Sequence, residues 1–235
     1  MEAKRYIGFL PQKAPLHTEM TVDEYLYHCA DIRLMPKKEI PAAIDRAKEK
    51  CGITHFSKRQ ICNLSGGYQQ RVGIAQAIIH DPLFVILDEP TNGLDPNQIT
   101  EVRHLIKGIA EDRAVLISTH ILPEVQAVCD YIMMIEHGQK VFEGTINAFN
   151  TYMSPSALMT IMHNAPTTEE LLKIEGIVRV ERLTKTRIRL HFKGDNAIVG
   201  RVVKQAVENQ WRLREISLEK ESLDKVFAKL SGKEV

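Results

Sequence analysis

Residues 84–90 read Phe-Val-Ile-Leu-Asp-Glu-Pro, an apolar run that ends in two adjacent carboxylates, Asp88 and Glu89. Open α/β sheets gather their ligands at the carboxyl ends of the strands. One carboxylate there can hold Mg²⁺, directly or through water, while its neighbour positions or deprotonates an attacking water. Taken alone, an Asp-Glu pair is equally an ordinary strand end running into a solvated turn. Its surroundings argue for chemistry. Upstream stands Leu64-Ser65-Gly66-Gly67-Tyr68-Gln69-Gln70-Arg71, where a serine and two glycines open a helix. Such a start exposes backbone N–H groups at the positive end of the helix dipole, a ready phosphate site. Downstream come Thr91-Asn92-Gly93-Leu94-Asp95-Pro96 and then Ser118-Thr119-His120 at the end of the next apolar run. A histidine so placed can contact a terminal phosphate or an attacking water.

Elements must carry these groups to one place. Val22, Tyr25, Leu26 and Cys29 recur at helical spacing behind Thr21, whose Glu24 completes a capping box. A second helix is expected from Ala42 to Cys51, closed by Gly52. Helices over 65–80, 99–111 and 122–129 alternate with apolar strands over 83–87, 114–118 and 131–136. That alternation predicts a parallel sheet covered on both faces. Beyond Gly144 the pattern changes. Thr145 to Pro155 reads as a helix and connector. Strands over 157–163, 178–183, 187–192 and 211–218, with helices over 168–174 and 197–209, form a β-α-β-β-α-β unit of ferredoxin-like type. An extra helix is expected over 222–230, and the domain boundary near 150–156.

Composition narrows the function classes. The 235 residues carry 31 Lys+Arg against 30 Asp+Glu, a net charge of +1, so no global field draws in nucleic acid. Arg179, Arg182, Lys185, Arg187 and Arg189 lie among Glu175, Glu181 and Asp195 without an aromatic pair, which suits a solvated face. Cys29, Cys51, Cys62 and Cys129 form no CxxC and suit reduced thiols in a cytosolic protein. No run reaches the roughly 18 apolar residues of a membrane span, and the amino terminus lacks a signal-peptide core. A membrane role would therefore come through a partner.

In this order and spacing, the residues resemble the ATP-binding cassette (ABC) transporter ATPases over about residues 5–150. Leu64 to Gln70 resembles the family signature motif, although Tyr68 stands where glutamine is frequent; Phe84 to Glu89 resembles the Walker B strand. Gly93-Leu94-Asp95 matches the D-loop, His120 the switch histidine and Gln12 the Q-loop glutamine. Together with the carboxy-terminal α+β unit, the string from Arg71 to Gln98 is most similar to ATPases of ABC-2 type exporters, including gliding-motility-like ones.

The resemblance implies a P-loop NTPase-type α/β domain over 1–150, with a helical subdomain at about 20–75, and an accessory α+β domain over 156–235. It implies ATP and Mg²⁺ as ligands, with Asp88 and Gln12 serving the metal. Glu89 would polarise the lytic water, Gln12 would also sense the γ-phosphate, and His120 would hold it. Ser65, Gly66, Gly67, Gln69 and Asp95 would line the nucleotide, the signature residues reaching ATP held by a second ABC subunit in a head-to-tail dimer. An integral-membrane permease would be the other partner, and the location cytoplasmic, at the inner face of the membrane. Long coiled coils and a tandem second cassette, marks of the repair and translation members, are absent from the sequence.

The family also carries a phosphate loop, G-x-x-x-x-G-K-[ST]. No such string occurs in these 235 residues. The expected consequences are an α/β domain incomplete at its amino end, apolar faces left open, and no tight ATP binding or hydrolysis by this chain alone. The alternative reading is a non-catalytic regulatory or structural partner that donates its signature motif to an intact ATPase.

Overall fold

A computed structural model describes residues 2–152, 157–194 and 197–219. They divide into two compact units, residues 1–129 and 130–235.

The first unit is built on three parallel strands, β1 (Ile7–Leu10), β2 (Phe84–Asp88) and β3 (Ala114–Ser118), in the order β1-β2-β3. Leu10 lies beside Leu87, and Asp88 beside Ser118. Between β1 and β2 come α1 (Val22–Ile32), α2 (Ile40–Cys51) and α3 (Gly66–Ile78). The Thr21–Glu24 capping box is formed in full, and Gly52 closes α2 in the left-handed conformation at φ +65°. α2 begins at Ile40, earlier than the expected Ala42, because Pro41 fits its first turn. Likewise α4 (Pro96–Ala110) begins ahead of Ile99, since Asp95 caps it and proline occupies the first turn. α5 (Leu122–Val128) completes the unit.

Alternation along the strands explains the core. Leu10, Val85 and Leu87 are fully buried with Val72 and Ile74 of α3 and Val102, Ile106 and Ile109 of α4. Gly8 faces α3 so closely that a Cβ there would stand 2.1 Å from the Ala77 carbonyl oxygen. The opposite face differs from the expectation of a sheet covered on both sides. Phe9 and Leu116 remain 46% and 47% exposed. The helices that the sequence supplies pack on one side, and period-two geometry turns alternate apolar residues away from them.

The second unit opens with β4 (Tyr131–Glu136) and β5 (Gln139–Thr145), an antiparallel hairpin turned at Gly138, followed by α6 (Ile146–Tyr152). β4 is therefore not a further strand of the parallel sheet, as its apolar run suggested. Ile132 and Met134 are buried while Tyr131, Met133 and Ile135 are exposed, so the run is one-sided. Phe142 of β5 meets Phe149 of α6 edge to face at 5.5 Å.

The remaining strands, β6 (Ala157–Met162), β7 (Ile177–Arg182), β8 (Arg187–Phe192) and β9 (Leu213–Glu219), form an antiparallel sheet in the order β7-β8-β6-β9. With α7 (Thr168–Leu172) and α8 (Ile198–Glu208) this is the expected ferredoxin-like arrangement. Its core joins Leu158, Ile188, Leu190 and Phe192 to Leu171, Ile198 and Val202. The helix expected over 222–230 lies outside the described residues.

Candidate functional site

Parallel pairing sends β1, β2 and β3 in one direction, so their carboxyl ends share one edge of the sheet. Gln12 follows β1, Asp88 and Glu89 close β2, and Ser118 to His120 follow β3. Residues far apart in sequence are thus gathered by strand direction alone.

The Asp88 carboxylate accepts a hydrogen bond from the Ser118 hydroxyl on the neighbouring strand. Glu89 turns out of the strand at φ +46°, a left-handed conformation uncommon for a residue with a side chain. Its Oε1 lies 2.8 Å from Nδ1 of His120 and accepts the His120 backbone N–H at 3.2 Å. The hydrogen bond that Glu89 accepts from the His120 ring, with the charge interaction between them, raises the His120 pKa above its ordinary value. Glu89 Oε2 is buried and has no hydrogen-bond partner among the described residues. A buried carboxylate oxygen left open marks a place for a water or another donor.

The signature segment is held just as specifically. Ser65 is the N-cap of α3 by its backbone and makes no side-chain capping bond. The first-turn N–H groups of such a helix lack intrahelical acceptors. Gly66 has open space where a Cβ would point, whereas a Cβ on Gly67 would come 2.6 Å from the Gln98 side chain of α4. Gln69 turns back, donating to the Ile61 and Leu64 carbonyls at 3.2 and 3.0 Å, and so shapes the loop that presents Ser65. Gln70, absent from the sequence-derived site, donates to the Pro90 carbonyl at 2.9 Å and ties α3 to the turn after Glu89. Asp95 Oδ1 accepts from the Asn97 and Gln98 N–H groups at 3.0 Å each and caps α4. Gln12 is exposed beyond Pro11.

Among the described residues no group of three or more His, Cys, Asp or Glu side chains could hold a metal ion by itself. Mg²⁺ carried on a nucleotide needs only one or two carboxylates, the rest of its shell coming from phosphates and water. Asp88, with Glu89 beside it, fits that demand. No helix among the described residues is long and apolar enough to cross a membrane.

Carboxylates, a histidine and a glycine-led helix start are thus the chemical groups that this parallel α/β unit displays. The family described as ABC transporter matches residues 1–92. The bacitracin transport ATP-binding protein BcrA of Bacillus licheniformis is 31% identical over 98% of this chain and 74% of its own length. The uncharacterized ABC transporter ATP-binding protein YxlF of Bacillus subtilis is 34% identical over 61% of this chain. The chain spans 48% of the length of YxlF and 61% of that of the Bacillus subtilis protein NatA. Among solved structures, cbiO1 from Clostridium perfringens, part of the ABC transporter complex cbiONQ, matches with a TM-score of 0.56 at 28% identity. That match covers 60% of this chain and 58% of cbiO1. The chain belongs to the ATP-binding subunit family of ABC transporters.

Proposed function

We propose that this chain works as the ATP-binding subunit of an ABC-type exporter, coupling ATP hydrolysis to transport through a separate integral-membrane permease. The observation that carries the reading is the Glu89–His120 pair, joined at 2.8 Å across the ends of two parallel strands beside Asp88. Asp88 and Gln12 would hold the Mg²⁺ of MgATP, and the metal would supply charge neutralisation on the phosphates. Glu89 would orient the lytic water, its open Oε2 being the acceptor, and His120 would hold the γ-phosphate. The workplace would be the cytoplasmic face of the membrane. The bacitracin transport relative supports the transport reading, since its likeness runs through both units.

ATP bound to this polypeptide alone would lack the lysine and N–H nest of a phosphate loop, because none of its 235 residues forms one. We therefore expect neither tight ATP binding nor turnover from the 235-residue chain by itself. Mg²⁺-dependent phosphate release by the purified chain that disappears in Glu89→Gln would overturn that expectation. In an assembly that supplies a phosphate loop to this site, the same substitution should abolish the turnover that depends on this chain's own pair.

A second role is favoured by the open space at Gly66 and the uncapped Ser65 hydroxyl. Here Ser65, Gly66 and Gly67 close over a nucleotide held by an intact ABC subunit, and Asp95 and Gln69 keep that surface in shape. Co-purification with such a subunit, and loss of its turnover on Gly66→Asp in this chain, would support donation of the signature in trans. We further place the accessory domain at 156–235, as a docking or regulatory module, because the four-stranded sheet and its helices close their own core.

A further inference from the structure

Behind the Glu89–His120 pair lies a carboxylate that the reaction does not use. Glu124, in the first turn of α5, is 2% exposed. Its two oxygens go to two different loops. Oε1 accepts the hydroxyl of Thr91, which follows β2, and Oε2 accepts the hydroxyl of Thr119 at 3.3 Å, which follows β3. Thr119 Oγ1 in turn accepts the Ile121 N–H at 3.1 Å. Each hydroxyl thus has its own carboxylate oxygen as acceptor.

A buried carboxyl group is costly to desolvate even when hydrogen-bonded, and an apolar side chain of similar shape is often as stable in its place. Packing alone therefore gives no reason for a glutamate here. Position gives one. Thr91 is two residues beyond Glu89, and Thr119 immediately precedes His120. The turn between is short and internally bonded: Asn92 N–H donates to the Glu89 carbonyl at 3.1 Å, and Leu94 N–H to the Thr91 carbonyl at 3.2 Å. Fixing Thr91 therefore fixes the backbone that holds Glu89 at its positive φ, and fixing Thr119 fixes where His120 begins.

We propose that Glu124 is a positioning residue that clamps the loops after β2 and β3 together through Thr91 and Thr119, and so sets the Glu89–His120 pairing distance. It would act through those two hydroxyls. The assignment rests on the reading of Glu89 and His120 as the working pair, but its test needs no nucleotide.

The experiment follows the His120 imidazole nitrogens by NMR in the full chain labelled with ¹⁵N-histidine, with Glu89→Gln marking the position of a broken pair. Glu124→Met should move the His120 Nδ1 signal toward that mark while leaving the melting temperature nearly unchanged. Glu124→Gln, which can still accept one hydroxyl and donate to the other, should return most of the shift. Adding Glu89→Gln to Glu124→Met should move the signal no further than Glu89→Gln alone. If Glu124→Met does not fold, Thr91→Val and Thr119→Val decide, and together they should reproduce the displacement. A His120 signal that stays at its wild-type position in folded Glu124→Met, or in the paired valine variants, overturns the proposal. Failure of the hydrolysis reading looks different: an assembled complex without turnover, with the NMR displacements intact.

Discussion

Two charged constellations, one in each unit of this protein, are built to opposite ends. In the second unit Arg189 donates from Nε and Nη2 to Glu219 and from Nη1 to Glu181, at 2.6, 2.9 and 3.1 Å, across the face of the sheet. Each nitrogen has a carboxylate, and the two carboxylates raise the guanidinium pKa further above its already high value. In the first unit Glu89 has one oxygen shared by the His120 ring and backbone, and one buried oxygen with no partner among the described residues. A saturated network holds strands together. An unsaturated one, set on an unusual backbone at strand ends, keeps a place for a reactant.

The sharpest break in that comparison is Glu89→Gln. In an assembly that supplies a phosphate loop to this site, it should cut phosphate release by at least about 10²-fold, the low end for loss of a positioned general base. The melting temperature of the chain should hardly move. Equal losses of activity and stability would make Glu89 a structural residue like Arg189. Next in size, Leu158→Ala in the second core, where Leu158 is fully buried, should cost about 2–5 kcal/mol in urea unfolding of that unit. A smaller loss, about 1 kcal/mol, is expected from Arg189→Met, because exposed or half-exposed ion pairs contribute little and the methionine keeps part of the stem's packing.

The smallest effects are in pH dependence, and they run in opposite directions. His120 has a folded pKa raised by Glu89, so its pairing is fully present below about 6.5 and is lost as pH rises through the raised value. An NMR titration should show the midpoint falling toward the ordinary value in Glu89→Gln. His80, half-buried and close to the Arg33 guanidinium, is lowered to about 4. Its contribution is present above 6.5 and is lost as pH falls through about 4. Melting temperatures of His80→Gln should therefore decline less between pH 6.5 and 4 than those of the wild type.

Much of the fold is legible in the residues themselves, for local reasons. Thr21 and Glu24 specify a capping box within one turn, and Gly52 ends α2 because glycine alone enters the left-handed region freely. The run from Ala114 to Ser118 is a strand at the boundaries that its apolar residues suggest. The β4–β5 hairpin is harder to read. Pairing direction depends on which edge is available, and an apolar run reads the same whether parallel or antiparallel. Exposure of Phe9 and Leu116 likewise follows from which face the helices take, a choice made only on packing.

The site divides along the same line. Sequence by itself marked Asp88, Glu89, His120 and the Ser65–Gly67 segment as chemically apt, because residue type and spacing along strand ends and helix starts are local properties, and the family resemblance added Gln12. Tertiary structure alone decided how they are used. It turned Gln69 inward and brought Gln70 onto Pro90. It also placed a buried glutamate from α5 under two threonines on separate loops. None of those contacts has a sequence period, since each joins elements whose separation is set by sheet order and helix packing.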